Sequence, residues 1–383
     1  MRITPASDPP RIAVFGPTHP FKGGVAQHTT TLAHRLRERG AEVRVVSWSR
    51  PYPERLYPGQ LTVDRPEMAV FEPVERSMAW NRPDTWIGAG RRARTVDAAV
   101  FAHVIPVQAV PYRAVMAALH PTFGRAGGGP KVAVICHNVL PHERHRGDRL
   151  LVGSLLDRAD RVLTHSDAQA ALAAELIGPP AVAGTKVVAA SLPPFFPDAF
   201  APRRPEPGVH RRLLFFGIVR PYKGLDVLME ALAAGPPDVR LRVAGEVWGG
   251  PGALEARAED LGIADRVELV TRYIAAEEVP DLFADVDALV LPYREATGSQ
   301  AVWTGFQFGV PVIATRTGEL AKSIREGVDG LVADPGDVAG LAAAITELYQ
   351  PGRAEALRCA VEPVDSAALW SPYLDRLLDG LLP

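Results

Sequence analysis

Short apolar runs alternate with segments of helical period along most of this chain. Residues 12–15 form an apolar run of strand length, a glycine-bearing loop covers 16–24, and 25–39 carries the spacing of an amphipathic helix ended by Gly40. Residues 43–47 supply the next strand. A strand–loop–helix–strand opening predicts a parallel sheet with helices on its faces. Further strands are expected at 96–104, 132–136 and 161–164, with helices at 112–119, 150–159 and 167–176.

Proline and charge then cluster, from Pro193-Pro194 through Pro202-Arg203-Arg204-Pro205-Glu206-Pro207-Gly208. Such a stretch reads as a linker. The alternation restarts after it. Strands are expected at 213–216, 240–245, 267–270, 288–291 and 312–315, and helices at 225–233, 253–261, 276–283, 303–308 and 339–349. Residues 365–382 read as a terminal amphipathic helix. The pattern predicts an α/β protein of two Rossmann-like, doubly wound domains: 1–199, completed by the terminal helix 365–383, and 200–364. Sheets of this kind place ligands beyond the carboxyl ends of their strands, so a cleft between two such ends is expected.

Composition narrows the class. With 383 residues and 47% hydrophobic content the chain is long enough for two ordinary cores. A formal net charge of −2 gives no global electrostatic case for binding nucleic acid. The two cysteines, Cys136 and Cys359, have no metal-type spacing, which argues against a disulfide framework or a zinc motif and suits a cytoplasmic location. The first residues hold no apolar core of signal-peptide length, and no run approaches the roughly 18 apolar residues needed to span a bilayer.

The candidate chemistry follows predicted strands. After 213–216 come Gly217, Arg220 and Lys223, and then a helix opening at Gly224-Leu225. Two cations between a strand and a helix N-terminus suit a phosphate ligand. Gly23-Gly24 precedes the first helix, where a backbone free of side chains can approach a ligand closely. His137 follows the strand 132–136 within the run His137-Asn138-Val139-Leu140-Pro141-His142-Glu143. Gly245 ends a strand, and Arg272 and Tyr273 follow another. The stretch Leu291-Pro292-Tyr293-Arg294-Glu295-Ala296-Thr297-Gly298-Ser299-Gln300-Ala301 combines a carboxylate with backbone N–H groups at a helix start. The Gly23-Gly24 loop is not a G-x-G-x-x-G fingerprint, and no acidic residue ends the following strand, which argues against a nicotinamide dehydrogenase.

Together with the run Gly309-Val310-Pro311-Val312-Ile313-Ala314-Thr315, these motifs resemble the retaining GT-B glycosyltransferases of the family-4 type over nearly the whole chain. The resemblance implies transfer of a sugar from a nucleotide-diphosphate sugar to an acceptor hydroxyl on a glycan, a lipid-linked molecule or a small molecule. It implies no bound metal and no other cofactor. It implies catalytic roles for His137, Arg220, Lys223 and Glu295, and donor contacts at Gly23, Gly24, Gly245, Arg272, Tyr273, Gly298, Ser299, Gln300, Ala301 and Thr304. The family pattern carries two spaced glutamates here. This chain aligns Ala296 with the first, one residue after Glu295, and Thr304 with the second, which grips the nucleotide ribose. Relatives often act on lipid-linked acceptors, so Trp86, Arg91, Arg92 and Arg94 suggest weak peripheral contact with the inner face of a membrane. A GT-B-fold nucleotide-sugar epimerase and a non-catalytic nucleotide-sugar-binding partner are the alternatives.

Overall fold

The computed structural model describes residues 8–51, 62–120, 129–141, 145–178, 186–197, 199–201, 203–296 and 300–382. The chain divides into two compact units, Met1–Phe195 with Ala367–Pro383, and Phe196–Ser366.

The first unit is built on β1 (Arg11–Phe15), β2 (Glu42–Arg50), β3 (Val74–Ala79), β4 (Ala98–His103), β5 (Lys131–Cys136), β6 (Arg161–Thr164) and β7 (Val187–Ala189). They form one sheet in the order β3-β2-β1-β4-β5-β6-β7, and every named pairing is parallel. Its helices are α1 (Gly24–Glu38), α2 (Pro83–Arg92), α3 (Ala109–Leu119), α4 (Asp148–Leu156) and α5 (Asp167–Ile177). Helices on both faces explain why the strands are continuous apolar runs rather than alternating ones. Ala13 and Phe15 enter one apolar layer and Ile12 and Val14 the other.

The second unit repeats the plan. Its strands are β8 (Arg212–Phe216), β9 (Arg240–Ala244), β10 (Val267–Val270), β11 (Ala288–Leu291), β12 (Val312–Thr315) and β13 (Gly330–Ala333). They run in the order β10-β9-β8-β11-β12-β13, again with parallel pairing. The helices are α6 (Leu225–Ala234), α7 (Gly252–Asp260), α8 (Val279–Ala284), α9 (Gln300–Gln307), α10 (Val338–Leu348) and α11 (Arg353–Ala360). In both sheets the strand order reverses beside the first strand, β1 or β8, and ligands of open α/β sheets sit at such switch points.

The last helix, α12 (Ser366–Leu378), packs on the first unit. Trp370 is buried there and its indole N–H donates to the Pro194 carbonyl at 2.7 Å. Arg39 donates to Asp375 at 2.6 Å and Arg376 to the Ala189 carbonyl at 2.7 Å, so polar clamps flank the apolar contact.

The segment read as a basic membrane patch also takes part in the fold of the first unit. Trp86 lies in the core of α2 and donates to the Ala79 carbonyl at 2.6 Å. Arg92 pairs with Glu75, and Arg94 donates to the Ala118 carbonyl at 2.8 Å. Packing of α2 takes up the aromatic, and Arg92 and Arg94 have partners on the fold, while Arg91 and Arg92 stay exposed. Among the described residues no helix is long and apolar enough to cross a membrane.

Candidate functional site

In the second unit the site begins where β8 ends. Gly217 has φ +109°, and its N–H donates to the Ala244 carbonyl at 2.9 Å. Val219 then donates to the Glu246 carbonyl at 2.9 Å, so the loops after β8 and β9 stay paired beyond the strands. The approach is close enough that a Cβ on Gly245 would lie 2.1 Å from the Gly217 carbonyl oxygen. A single turn, Pro221–Lys223, and Gly224 at φ +65° lead into α6.

This path fixes the two cations. The Lys223 ammonium folds back over the start of the loop, 3.1 Å from where a Cβ on Gly217 would sit, and 5.4 Å from the centre of the Tyr293 ring. Burial pushes the Lys223 pKa down from its usual value, and the neighbouring Arg220 adds to that while Tyr222 opposes it. The Arg220 guanidinium lies 3.4 Å from the centre of the Trp248 ring. Among the described residues neither cation has a carboxylate within ion-pair distance. Two half-buried like charges at a helix start, without an acidic partner, form an arrangement that an anion completes.

Other cations nearby are already neutralised. Arg294 spans from the loop after β11 to α6 and donates to both oxygens of Asp226, at 2.7 and 2.5 Å. It also donates to the Pro221 carbonyl at 2.9 Å, and its backbone N–H donates to the Tyr222 carbonyl at 2.7 Å. Arg272 grips Glu278 through two hydrogen bonds, holding that carboxyl down at about 2, and donates to the Tyr273 carbonyl at 3.1 Å. Arg272 thus shapes the turn after β10 rather than presenting a bare charge.

Glu295 is exposed just past β11, and Gln300 and Ala301 open α9. Gly298 and Ser299 lie outside the described residues, as do His142 and Glu143. Thr304 is buried inside α9, and its hydroxyl donates to the Gln300 carbonyl at 3.0 Å. A short, back-bonded side chain at this place cannot reproduce the reach of a glutamate.

In the first unit, Gly23 (φ +98°) caps α1 and Gly24 is its first residue. His137 follows β5, its backbone N–H donating to the His103 carbonyl at 3.0 Å. Its ring meets the edge of His28 at 4.7 Å and lies 5.1 Å from His165, centre to centre. Trp370 and Tyr373 of α12 and Phe195 surround His28. Burial and then the neighbouring histidines keep the His137 pKa well below its usual value, so its ring is a neutral imidazole. Among the described residues no group of three or more His, Cys, Asp or Glu side chains forms a candidate metal site.

Sequence reasoning did not assign roles to Trp248, Arg294 or His28. Trp248 sits three residues past the same Gly245 that was singled out, and an aromatic before Gly249-Gly250 is the signal that could have found it.

Two family profiles match the chain: Glycosyltransferase Family 4 over residues 22–189 and Glycosyl transferases group 1 over residues 210–351. It is 32% identical over 217 residues to a D-inositol 3-phosphate glycosyltransferase of Mycobacterium sp. (strain KMS), covering 54% of this chain and 49% of that protein. It is 35% identical over 180 residues to a GDP-mannose-dependent alpha-(1-6)-phosphatidylinositol monomannoside mannosyltransferase of Mycolicibacterium smegmatis, covering 43% of this chain and 46% of that protein. The matches therefore span about half the length of these relatives. The fold resembles that of the Anabaena protein HepE in complex with UDP, with a TM-score of 0.69 at 17% identity over 96% of this chain and 100% of that one. Sucrose-phosphate synthase from Thermosynechococcus elongatus gives 0.68 at 17% identity, over 97% of this chain and 99% of that one. Such likeness establishes the GT-B fold.

Proposed function

The chain belongs to the group 1 glycosyltransferases, with a family 4 amino-terminal half, and on that premise we propose that it transfers a sugar from a nucleotide-diphosphate sugar to an acceptor hydroxyl with retention of anomeric configuration. The observation that carries this reading is the pair Arg220 and Lys223, held between β8 and α6 without an acidic partner among the described residues. Each can take phosphate oxygens, Arg220 bidentately and Lys223 as a compact charge.

In the proposed step the bond from the sugar C1 to the diphosphate oxygen breaks and a bond from C1 to the acceptor oxygen forms. The acceptor proton passes to the departing phosphate. Negative charge grows on the diphosphate as it leaves, and preorganised cations stabilise that charge most in the transition state. This role is assigned to Arg220 and Lys223, with the start of α6 adding its dipole. Glu295 is assigned to the sugar hydroxyls, which it can accept from as a carboxylate. His137, kept neutral by its surroundings, is assigned a hydrogen-bonding rather than an acid role toward the sugar. Gly23, Gly24, Gly245, Tyr273, Gln300 and Ala301 are assigned to close backbone approach, and the second unit to the donor. With Thr304 turned into its own helix, the ribose relies on other contacts.

The test is turnover with UDP- and GDP-sugars, reading release of the nucleoside diphosphate and the anomeric configuration of the product by NMR. The names of the curated relatives put inositol-bearing acceptors first in that assay. Release that depends on acceptor and yields the donor's anomer supports the reading. Acceptor-independent interconversion of the sugar would point to an epimerase instead.

A further inference from the structure

We propose that Trp248 is a positioning residue that holds the Arg220 guanidinium in place for the diphosphate, an inference that rests on the nucleotide-sugar reading above. Arginine is long and flexible, and a guanidinium without a fixed partner samples many rotamers. The usual restraint is a carboxylate, as Asp226 provides for Arg294 and Glu278 for Arg272. A carboxylate beside Arg220 would neutralise the charge that the phosphate needs.

An aromatic face avoids that conflict. It attracts the cation through the ring quadrupole and leaves every N–H in the guanidinium plane directed outward. Here the separation from the Arg220 guanidinium carbon to the Trp248 ring centre is 3.4 Å, a stacking distance. The pairing is built in by the backbone. The bridge between Val219 and Val247 sets the two loops side by side, one residue before each partner. Gly245, whose missing side chain lets the loops touch, makes that register possible. Trp248 therefore acts through Arg220, fixing its plane before the ligand arrives and lowering the ordering cost of binding.

The experiment measures binding of UDP, GDP, ADP and inorganic pyrophosphate by calorimetry to wild type, Trp248→Ala, Trp248→Leu, Trp248→Phe, Arg220→Ala and the double variant Arg220→Ala/Trp248→Ala. Melting temperatures confirm that each variant is folded. Trp248→Ala and Trp248→Leu should weaken the best-bound probe about three- to tenfold, the range of one cation–π contact. Trp248→Phe, which restores an aromatic face, should recover most of the loss. In the Arg220→Ala background the same removal of Trp248 should change affinity less than twofold. Wild-type affinity in Trp248→Ala, or equal losses in both backgrounds, would overturn the positioning role while leaving the donor site standing. A wild-type protein that binds none of the four probes would overturn the donor reading and this role with it.

Discussion

Arg294 grips Asp226 through two hydrogen bonds of 2.7 and 2.5 Å and thereby ties the loop after β11 to the first turn of α6. The same side chain reaches the Pro221 carbonyl, and its backbone reaches Tyr222. The loop that carries Glu295 and the turn that carries Lys223 are thus one mechanical piece. The pair is well exposed on both sides, so salt and water screen it heavily. Arg294→Ala should cost only about 0.5–1 kcal/mol of stability. Its larger effect should fall on the donor, with weaker nucleotide-sugar affinity at nearly unchanged melting temperature. Parallel calorimetry and thermal melts check the split.

Lys223→Ala should lower kcat/KM by roughly two to three orders of magnitude, about 2–4 kcal/mol of transition-state stabilisation, by analogy with loss of one preorganised donor. Unchanged kcat/KM in a folded variant would remove Lys223 from the mechanism.

Gly245→Ala should be destabilising even though it adds one methyl group. The new Cβ would lie 2.1 Å from the Gly217 carbonyl oxygen, at a φ of +148° that L residues rarely adopt. The loops after β8 and β9 would have to part, at a cost of at least about 2 kcal/mol. Urea unfolding of the variant reads this directly, and Arg220 should lose its stacking partner at the same time.

The histidine cluster makes the first unit acid-sensitive. His28, His103, His137 and His165 all have folded-state pKa values below the usual one, chiefly through burial, with His103 and His165 pushed down to about 4. Above about pH 6.5 both states are neutral and these groups impose no penalty. As pH falls from 6.5 toward 4, the unfolded chain takes up protons that the folded one refuses, and stability drops by up to about 1.4 kcal/mol per pH unit for each histidine. His28→Phe should flatten the slope of stability against pH by about one histidine. A slope unchanged by the substitution would show that His28 is protonated in the fold.

The plan of a parallel sheet between two helical layers was legible because strands covered on both faces must be apolar throughout, and β6, β10, β11 and β12 stand where the runs 161–164, 267–270, 288–291 and 312–315 place them. β13 and α11 also carried no expectation, and three of the elements without one have local reasons. β3 carries Glu75 and Arg76, whose charges find partners on the fold and hide the strand period. α2 holds Gly88 and Gly90 in its interior, so propensity argues against it although Pro83 suits its first position, and tertiary packing forms it. β7 has only three residues. At the site, Arg220 and Lys223 were readable from their place between strand and helix. Trp248 left only a local mark, an aromatic before Gly249-Gly250, because the contact that gives it meaning crosses between two loops that sequence cannot align.

The central claim is that the second unit grips a nucleoside diphosphate through Arg220 and Lys223. The most direct measurement is the affinity of wild type and of Arg220→Ala/Lys223→Ala for a matched series: UDP, UMP and uridine, and GDP, GMP and guanosine. The account predicts that one diphosphate binds at least about tenfold more tightly than its nucleoside, the equivalent of roughly 1.4 kcal/mol, and that the double variant erases the difference. Equal affinity of nucleoside and diphosphate for wild type, or a preference for diphosphate that survives in the double variant, would contradict it.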